Sequence, residues 1–595
     1  MMEYSSSFSS FGAYGRAVLR TPTRLRKSMW AVWSPAEELT EIRARSGAEM
    51  QRKLRWYDLV AMGVGGMVGA GIFVSTGSAA KLYAGPSVIV AYIVAGFSAL
   101  LSALCYTEFA VEMPVAGGAF SYLRITFGEF AAYLAGANLI AEYVLSNAAV
   151  ARSFTSYLAT VFGVVTTDAW RLRVQGLGPG YDRLDFSAVA ILIMLTLFLC
   201  YSTKDSSTLN MVMTIFHLSF IIFIIIAGFA KGNISNLTKP GVPSVPGGFF
   251  PYGVKGVFNG AAIVYFSFIG YDAVSTLAEE VQEPAKNMPI GVAGSVVIVS
   301  VLYCLMAASI CMLLPYDMID PEAPFSTAFK HVAGWKWATN LVGVGATLGI
   351  VTSLLVSMLG QARYLCVIGR ANLIPCWFAK VSPTTGTPIN ATIFLGCCTA
   401  GIALFTELDV LLNLVSIGTL FVFYLVANAL IFRRHVVAGG VTNPWPTALF
   451  LALLSVSAIG FVAAWGNNFD CWWGLMISGG MAIGFTTVFW MRVPVVQKGE
   501  KWEAPLMPFL AAASIFLNVF LLGSVDRKSY KRFGIWSGIA VCFYVVYSVH
   551  ATYDAEARSK DESSKIDLEQ LHTFADKSSK FDLKQTEGLL KINLG

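Results

Sequence analysis

Charge is scarce in this 595-residue sequence. Asp, Glu, Lys and Arg together make up 13% of it, against about 25% in an average soluble protein. Histidine is scarcer still, with five. There is no GxxxxGK[ST] loop, no HExxH helix and no GxSxG elbow. The usual means of holding nucleotide phosphates, a catalytic zinc or an activated serine are therefore missing, and ATP-driven transport by this chain alone is unsupported. The ten cysteines form no CxxC pair. Scattered through apolar runs, they read as small buried residues, not as a disulfide or metal framework. No pattern for DNA or RNA occurs, and no cofactor or metal is expected. The short alternating segments of a β-barrel are absent as well.

Hydrophobic residues make up 56% of the chain. Long uncharged runs recur along it, each near the ~20 residues that cross a bilayer as a helix. Hydropathy predicts fourteen spans: 58–81, 86–112, 129–162, 186–202, 209–230, 257–279, 290–314, 339–368, 389–405, 409–432, 446–465, 472–491, 505–524 and 533–550. This is an all-α, multi-pass membrane protein whose first partner is the lipid bilayer. The Ser/Arg-rich segment 1–52 lacks the apolar core of a signal peptide. It reads as a disordered cytosolic tail, a transit peptide being the other reading, and 551–595 reads as a second cytosolic tail. Ten Lys/Arg precede the first span, which argues for an inside N-terminus. An even span count then puts both tails inside. It also puts "GNISNLT" outside, with two weak glycosylation sequons at Asn233 and Asn236. These features favour the plasma membrane, with the vacuolar membrane as the alternative.

The stretch "GGMVGAGIFVSTG" (65–77) places five glycines in a span, although each weakens a helix by roughly 1 kcal/mol relative to alanine. Span 6 carries "FSFIGYDAVS". Interrupted helices at corresponding positions of two inverted halves point to a transporter site. At 1.5 Å per residue, Gly69 and Phe268 both lie roughly 16 Å into a ~30 Å hydrocarbon core. If span 1 opens at Gly69-Ala70-Gly71, free N–H groups near Ile72 could hold a carboxylate. If span 6 opens at Phe268-Ile269-Gly270, freed carbonyls suit an ammonium group. A site with both ends matches an amino acid. The plainer reading of the glycines is close helix packing.

Two ionisable residues sit deep in spans. His217, in "NMVMTIFHLSF", can carry a proton, or can simply bond a neighbouring helix. Glu142, in "LIAEYVLSNAAVAR", can take a proton, attract a cationic side chain or hold another helix. Arg152 is about 15 Å further along the same helix, too far to be its mate. Glu108, Glu112 and the pair Glu279–Glu280 read as gate or interface charges. Phe266, Phe268 and Tyr271 are candidate pocket aromatics.

At this point the motifs become recognisable. "WYDL" (56–59), "GGMVGAGIFVSTG", "CYTEFAVEMPVAGGAFSYLR" (105–124), "SNAAVARSFTSYLA" (146–159), "FSFIGYDAVSTLAEEVQEPAKNMPIG" (266–291) and "GQARYLCVIGRANLIP" (360–375) resemble the cationic amino acid transporters, especially those of plants, in the amino acid–polyamine–organocation superfamily. The resemblance covers about 50 to 550. It implies a leucine-transporter-like core of two inverted five-helix repeats, 53–440, followed by four further helices, 441–550. It implies substrate contacts at Gly69, Ala70, Gly71 and Ile72, and at Ser267, Phe268, Ile269 and Gly270. His217 stands where bacterial relatives carry a lysine in place of sodium. Thr352 and Ser353 resemble the hydroxyl pair of sodium-using branches. The expected function is a permease, not an enzyme, that moves cationic and some neutral amino acids by alternating access. Protons are the expected coupling ion, with His217 and Glu142 as coupling residues. The alternatives are a sodium-coupled or uncoupled exchanger, or a non-transporting amino acid sensor.

Overall fold

A computed structural model describes residues 7–29 and 54–558, apart from Ala70, 115–116, 164–169, 177, 179, 202–203, 279–280, 331–334, 383–384, 386, 437–441, 467–471, 500 and 526. Glu279 and Glu280 therefore lie outside the described residues. So do most of the two tails. The described chain is almost entirely helical, with one small antiparallel hairpin, Leu172–Arg173 with Arg183–Leu184.

Two helices open it, α1 (Phe11–Leu19) and α2 (Thr21–Met29). The first span is α3 (Trp56–Met67), followed by an irregular, wide-turned helix over 71–84. Then come α4 (Val88–Glu112), the short α5 (Ala119–Phe127), α6 (Glu129–Val161), α7 (Phe186–Tyr201) and α8 (Lys204–Lys231). The sixth span is α9 (Gly253–Val264), a tight 3-10 turn over Tyr265–Phe268, and α10 (Tyr271–Ser275). α11 (Pro284–Leu313), α12 (Pro324–Lys330) and α13 (Lys336–Arg370) follow. The remainder is α14 (Ile389–Phe405), α15 (Leu408–His435), α16 (Trp445–Gly466), α17 (Trp472–Arg492), α18 (Phe509–Gly523) and α19 (Arg527–Phe543), the last running on to Arg558. Among the described residues, eleven helices are long and apolar enough to cross a membrane. Three shorter apolar helices, α7, α14 and α18, occupy the remaining expected spans.

Local chemistry explains several helix ends. The Arg55 backbone N–H donates to the Asp58 carboxylate at 2.9 Å, which caps the start of α3. Gly128, at φ +93°, turns the chain sharply between α5 and α6. Pro284 opens α11, where its missing N–H costs nothing.

Helices five spans apart pack against each other: α3 against α10, α4 against α11, α6 against α13 and α7 against α14. Two inverted halves packed around a shared axis would bring counterparts together in this way. Of the later helices, α18 packs on α15 and α4, and α19 on α15 and α6. Within the core, Arg434 of α15 grips Glu108 of α4 through two bonds of 2.7 and 2.6 Å, and the Ala504 N–H, from the segment before α18, donates to the same carboxylate at 2.8 Å. Arg433 pairs with Glu112 at 2.8 Å. Glu108 and Glu112 are thus interface charges.

The N-terminal segment departs from the expected disorder. Ser7 donates its N–H and hydroxyl to Asp554 at 2.6 and 2.7 Å, and the Tyr14 hydroxyl donates to the Val546 carbonyl at 2.9 Å. Arg24 lies over the Tyr553 ring at 4.0 Å. The partners are more than 500 positions away in the chain, so local patterning does not reveal them. The cysteines also divide: Cys105, Cys311 and Cys366 are buried, but Cys376, Cys397 and Cys542 are exposed.

Candidate functional site

Both interruptions are present, and they meet. α3 ends at Met67, and helix resumes at Gly71. In span 6 the 3-10 turn ends at Phe268 and helix resumes at Tyr271. Gly270 has φ +129°, a conformation that side chains disfavour. A Cβ there would lie 3.0 Å from the Gly66 carbonyl carbon and 3.3 Å from the Met67 nitrogen. A Cβ on Gly71 would lie 2.5 Å from the Ser267 Cα, and one on Gly69 would strike Ser353. The glycines are therefore packing contacts and helix breaks at once.

Breaking a helix frees carbonyls, which need partners in a water-poor interior. The Tyr303 hydroxyl of α11 donates to the Met67 carbonyl at 2.6 Å and the Ser267 carbonyl at 2.8 Å. Ser353 donates to the Gly66 carbonyl at 3.2 Å, and Tyr157 to the Phe73 carbonyl at 2.6 Å.

A cavity of about 20 Å³ lies at the crossing, room for about one water. Gly66, Met67, Gly71, Phe266, Ile269, Gly270 and Ala273 line one side of it. Tyr143, Ser146, Asn147 and Val150 of α6, with Ser353, Val356 and Ser357 of α13, line the other. Asn147 donates to Gln361 at 3.1 Å, while its own carbonyl oxygen has no partner. Behind Tyr143 sits Asp272, which accepts from the Tyr143 hydroxyl and from the Gly270 N–H.

Of the residues expected at the site, Gly71, Ile269 and Gly270 face the cavity. Gly69 packs on Ser353. Ile72 is fully buried, Ser267 bonds Ser75 at 2.8 Å, and Phe268 packs its ring on Tyr303. Ala70 lies outside the described residues. Phe266 lines the cavity, whereas Tyr271 packs against Tyr106 and Phe423.

His217 is buried with its ring against Gly349 of α13 and 5.5 Å from the Phe73 ring, and its Nε2 has no partner. Glu142 is buried against Gly418 of α15, and its Oε1 has no partner. Neither residue lines the cavity. Arg152, fully buried, donates to the carbonyls of Arg183 and Ala403 at 3.1 and 3.0 Å, and so ties α6 to the hairpin and to the end of α14, not to Glu142. The Asn236 amide donates to the Met312 carbonyl at 2.8 Å. The Asn233 side chain is exposed and uses only its oxygen, accepting from the Ser235 N–H at 3.0 Å.

The side away from the termini is closed. Phe73 stacks edge-on against Tyr157 and Phe325, both at 5.6 Å. The loop before α12 presses on Gly77, where a Cβ would lie 2.6 Å from the Asp320 carbonyl oxygen. Arg171 clamps this closure, reaching Asp185 at 3.2 Å, Glu322 at 3.2 Å and Ser156 at 3.0 Å. Burial works against the Arg171 charge, but Glu322 and Asp185 outweigh it and raise its pKa. On the terminal side, a second pocket shares Ala273 and Val356 with the cavity and reaches Arg363.

A family model described as "Amino acid permease" matches residues 54–490, and one described as "C-terminus of AA_permease" matches 502–552. Among relatives from Arabidopsis thaliana, "Cationic amino acid transporter 7, chloroplastic" is 57% identical over 93% of this chain and 94% of its own length. "Cationic amino acid transporter 1" is 44% identical over 96% and 95%. "Cationic amino acid transporter 8, vacuolar" is 41% identical over 94% and 93%. The chain belongs to the plant cationic amino acid transporter family of amino acid permeases. It is a multi-pass membrane transport protein and not an enzyme. The expected plasma-membrane location finds no support in these names, which are chloroplastic and vacuolar where they specify a membrane.

The cavity-lining row Tyr143, Ser146, Asn147, Val150 escaped the sequence reading, although its i, i+3, i+4, i+7 spacing marks one helix face. Asp272 also escaped it, although it sits within the quoted span 6 motif.

Proposed function

We propose that this permease carries cationic amino acids, and some neutral ones, by proton-coupled alternating access. One observation supports this best. Asp272, bonded to Gly270 at the crossing, and Glu142, the residue before the cavity-lining Tyr143, are buried carboxylates, and neither has an ion-pair partner among the described residues. An uncompensated buried carboxylate is costly, so it is neutralised by a proton or by a cation brought to it. A substrate with a cationic side chain supplies the cation, and a proton supplies the other route. The freed backbone at Gly71 and Gly270 holds the amino acid's own carboxylate and ammonium. The small cavity has to widen before substrate enters, consistent with a closed state in an alternating cycle.

His217 is proposed as the proton carrier of the cycle. Its ring abuts Gly349, whose carbonyl would lie 3.3 Å from a Cβ on Gly69, so a charge on His217 acts directly on the break in span 1. The names of the relatives favour an internal membrane, chloroplast or vacuole, and a fluorescent fusion of the full chain tests that.

The functional test is radiotracer uptake of arginine and of leucine at acidic and neutral external pH. Arginine accumulation is expected to rise with external acid. His217→Ala should abolish that pH dependence, and full retention of it would overturn the proton role. Asp272→Asn should lower arginine uptake more than leucine uptake; equal loss of both would remove its role in charge selection.

A further inference from the structure

The N-terminal hairpin of α1 and α2 has one face that the other described residues do not cover. Ala13, Tyr14 and Ala17 of α1 turn inward. Phe11, Gly15, Val18 and Leu19 form an outward stripe at i, i+4, i+7 and i+8, with Phe11 99% and Leu19 82% exposed. Next to this stripe, Arg16 and Arg20 are exposed, and neither has an ion-pair partner among the described residues. Arg26 and Lys27 are exposed on α2. From residue 4 to 36 the chain carries five basic residues and no acidic one.

The hairpin's place is fixed by contacts on its inward side. Tyr14 is bonded to Val546, and the Phe8 ring lies 5.2 Å from Tyr547. This stretch of the last helix lies level with Glu129, at the start of α6, which accepts from the Tyr544 hydroxyl at 3.1 Å. It is also level with Leu373, whose carbonyl accepts from Ser548 at 2.6 Å. Glu129 starts one candidate span and Leu373 lies three residues beyond the end of another, both on the side of the termini. The exposed stripe therefore continues the lipid-facing surface of the last helix, where Phe543 and Val546 are also exposed.

We infer that α1 and α2 lie in the headgroup layer of the membrane on the terminal side and bind anionic lipid there. The stripe enters the acyl boundary, and Arg16, Arg20 and Arg26 meet the phosphates, while Lys27 is held by Glu556 at 3.4 Å. An apolar face beside a purely basic one is the composition that binds an anionic interface. Because the hairpin is bonded to Asp554, it stays on the folded protein as a surface anchor.

The test uses the full chain in nanodiscs of phosphatidylcholine alone or mixed with phosphatidylglycerol, followed by hydrogen exchange and mass spectrometry. Amides of 11–29 are expected to exchange several-fold more slowly in the anionic discs, with the difference reduced by high salt. Arg16→Glu with Arg20→Glu should erase the lipid dependence, and Leu19→Asp should speed exchange in both discs. These side chains point outward, so uptake should be retained. Equal exchange in both lipids would overturn the inference. So would an intact mass from native membranes lacking residues 1–29, which would make the segment a removed leader.

Discussion

At the scale of single residues, glycine and its neighbours decide the site. Gly270→Ala would force a side chain into φ +129° and against the Gly66 backbone. Strain of this kind costs roughly 1–3 kcal/mol, and uptake per molecule in the membrane should fall by tenfold or more. A second residue-scale expectation concerns the sequons. Where the chain is glycosylated, Asn233→Gln should abolish the mobility shift and Asn236→Gln should leave it, because the Asn236 amide is already engaged with Met312. Legibility at this scale was uneven. The breaks at Gly69–Gly71 and Phe268–Gly270 show in the sequence because glycine is costly in a helix. The cavity row on α6 was readable by spacing yet looked like ordinary small residues of a span. That Asp272 meets no cation among the described residues is a property of every helix around it, and no window of sequence contains it.

At the scale of elements, hydropathy foretold most helices closely: 129–162 became Glu129–Val161, and 339–368 became Lys336–Arg370. The agreement has a plain cause, since in lipid a span must satisfy its backbone internally and so must be helical. The N-terminal helices had no such constraint, and their stability comes from Asp554 and Val546 at the far end of the chain. Element motion is also testable. Leu54 and Val281 form a parallel bridge, and the Gln282 N–H donates to the Leu54 carbonyl at 2.9 Å. α3 and α10 are thereby joined and should move as one body. Arg171 holds the opposite side shut. Removing one partner of a buried ion pair costs about 3–5 kcal/mol. Arg171→Ala should therefore loosen the closure on the side away from the termini. Thiol labelling of Val150→Cys from that side should increase; unchanged labelling would assign Arg171 to loop stability alone.

At the scale of the whole molecule, Arg434 of α15 and Glu108 of α4 join two distant spans, and the Ala504 N–H from the segment before α18 meets the same carboxylate. Arg434→Ala should leave Glu108 buried and unpaired, at a cost of about 3–5 kcal/mol. Thermal unfolding in detergent should begin several degrees lower, while the apparent affinity for arginine stays near that of the parent. A change in affinity without a change in stability would mean that this join takes part in the cycle.

The Tyr303 hydroxyl has one proton and serves two backbone oxygens, one from each interrupted span. It works like the pin of a double hinge: neither leaf swings freely while the other stays put. A carrier that loosened one leaf alone would open half of its path with nothing in its grip. Sharing one phenol between both leaves makes that wasteful half-step the harder motion.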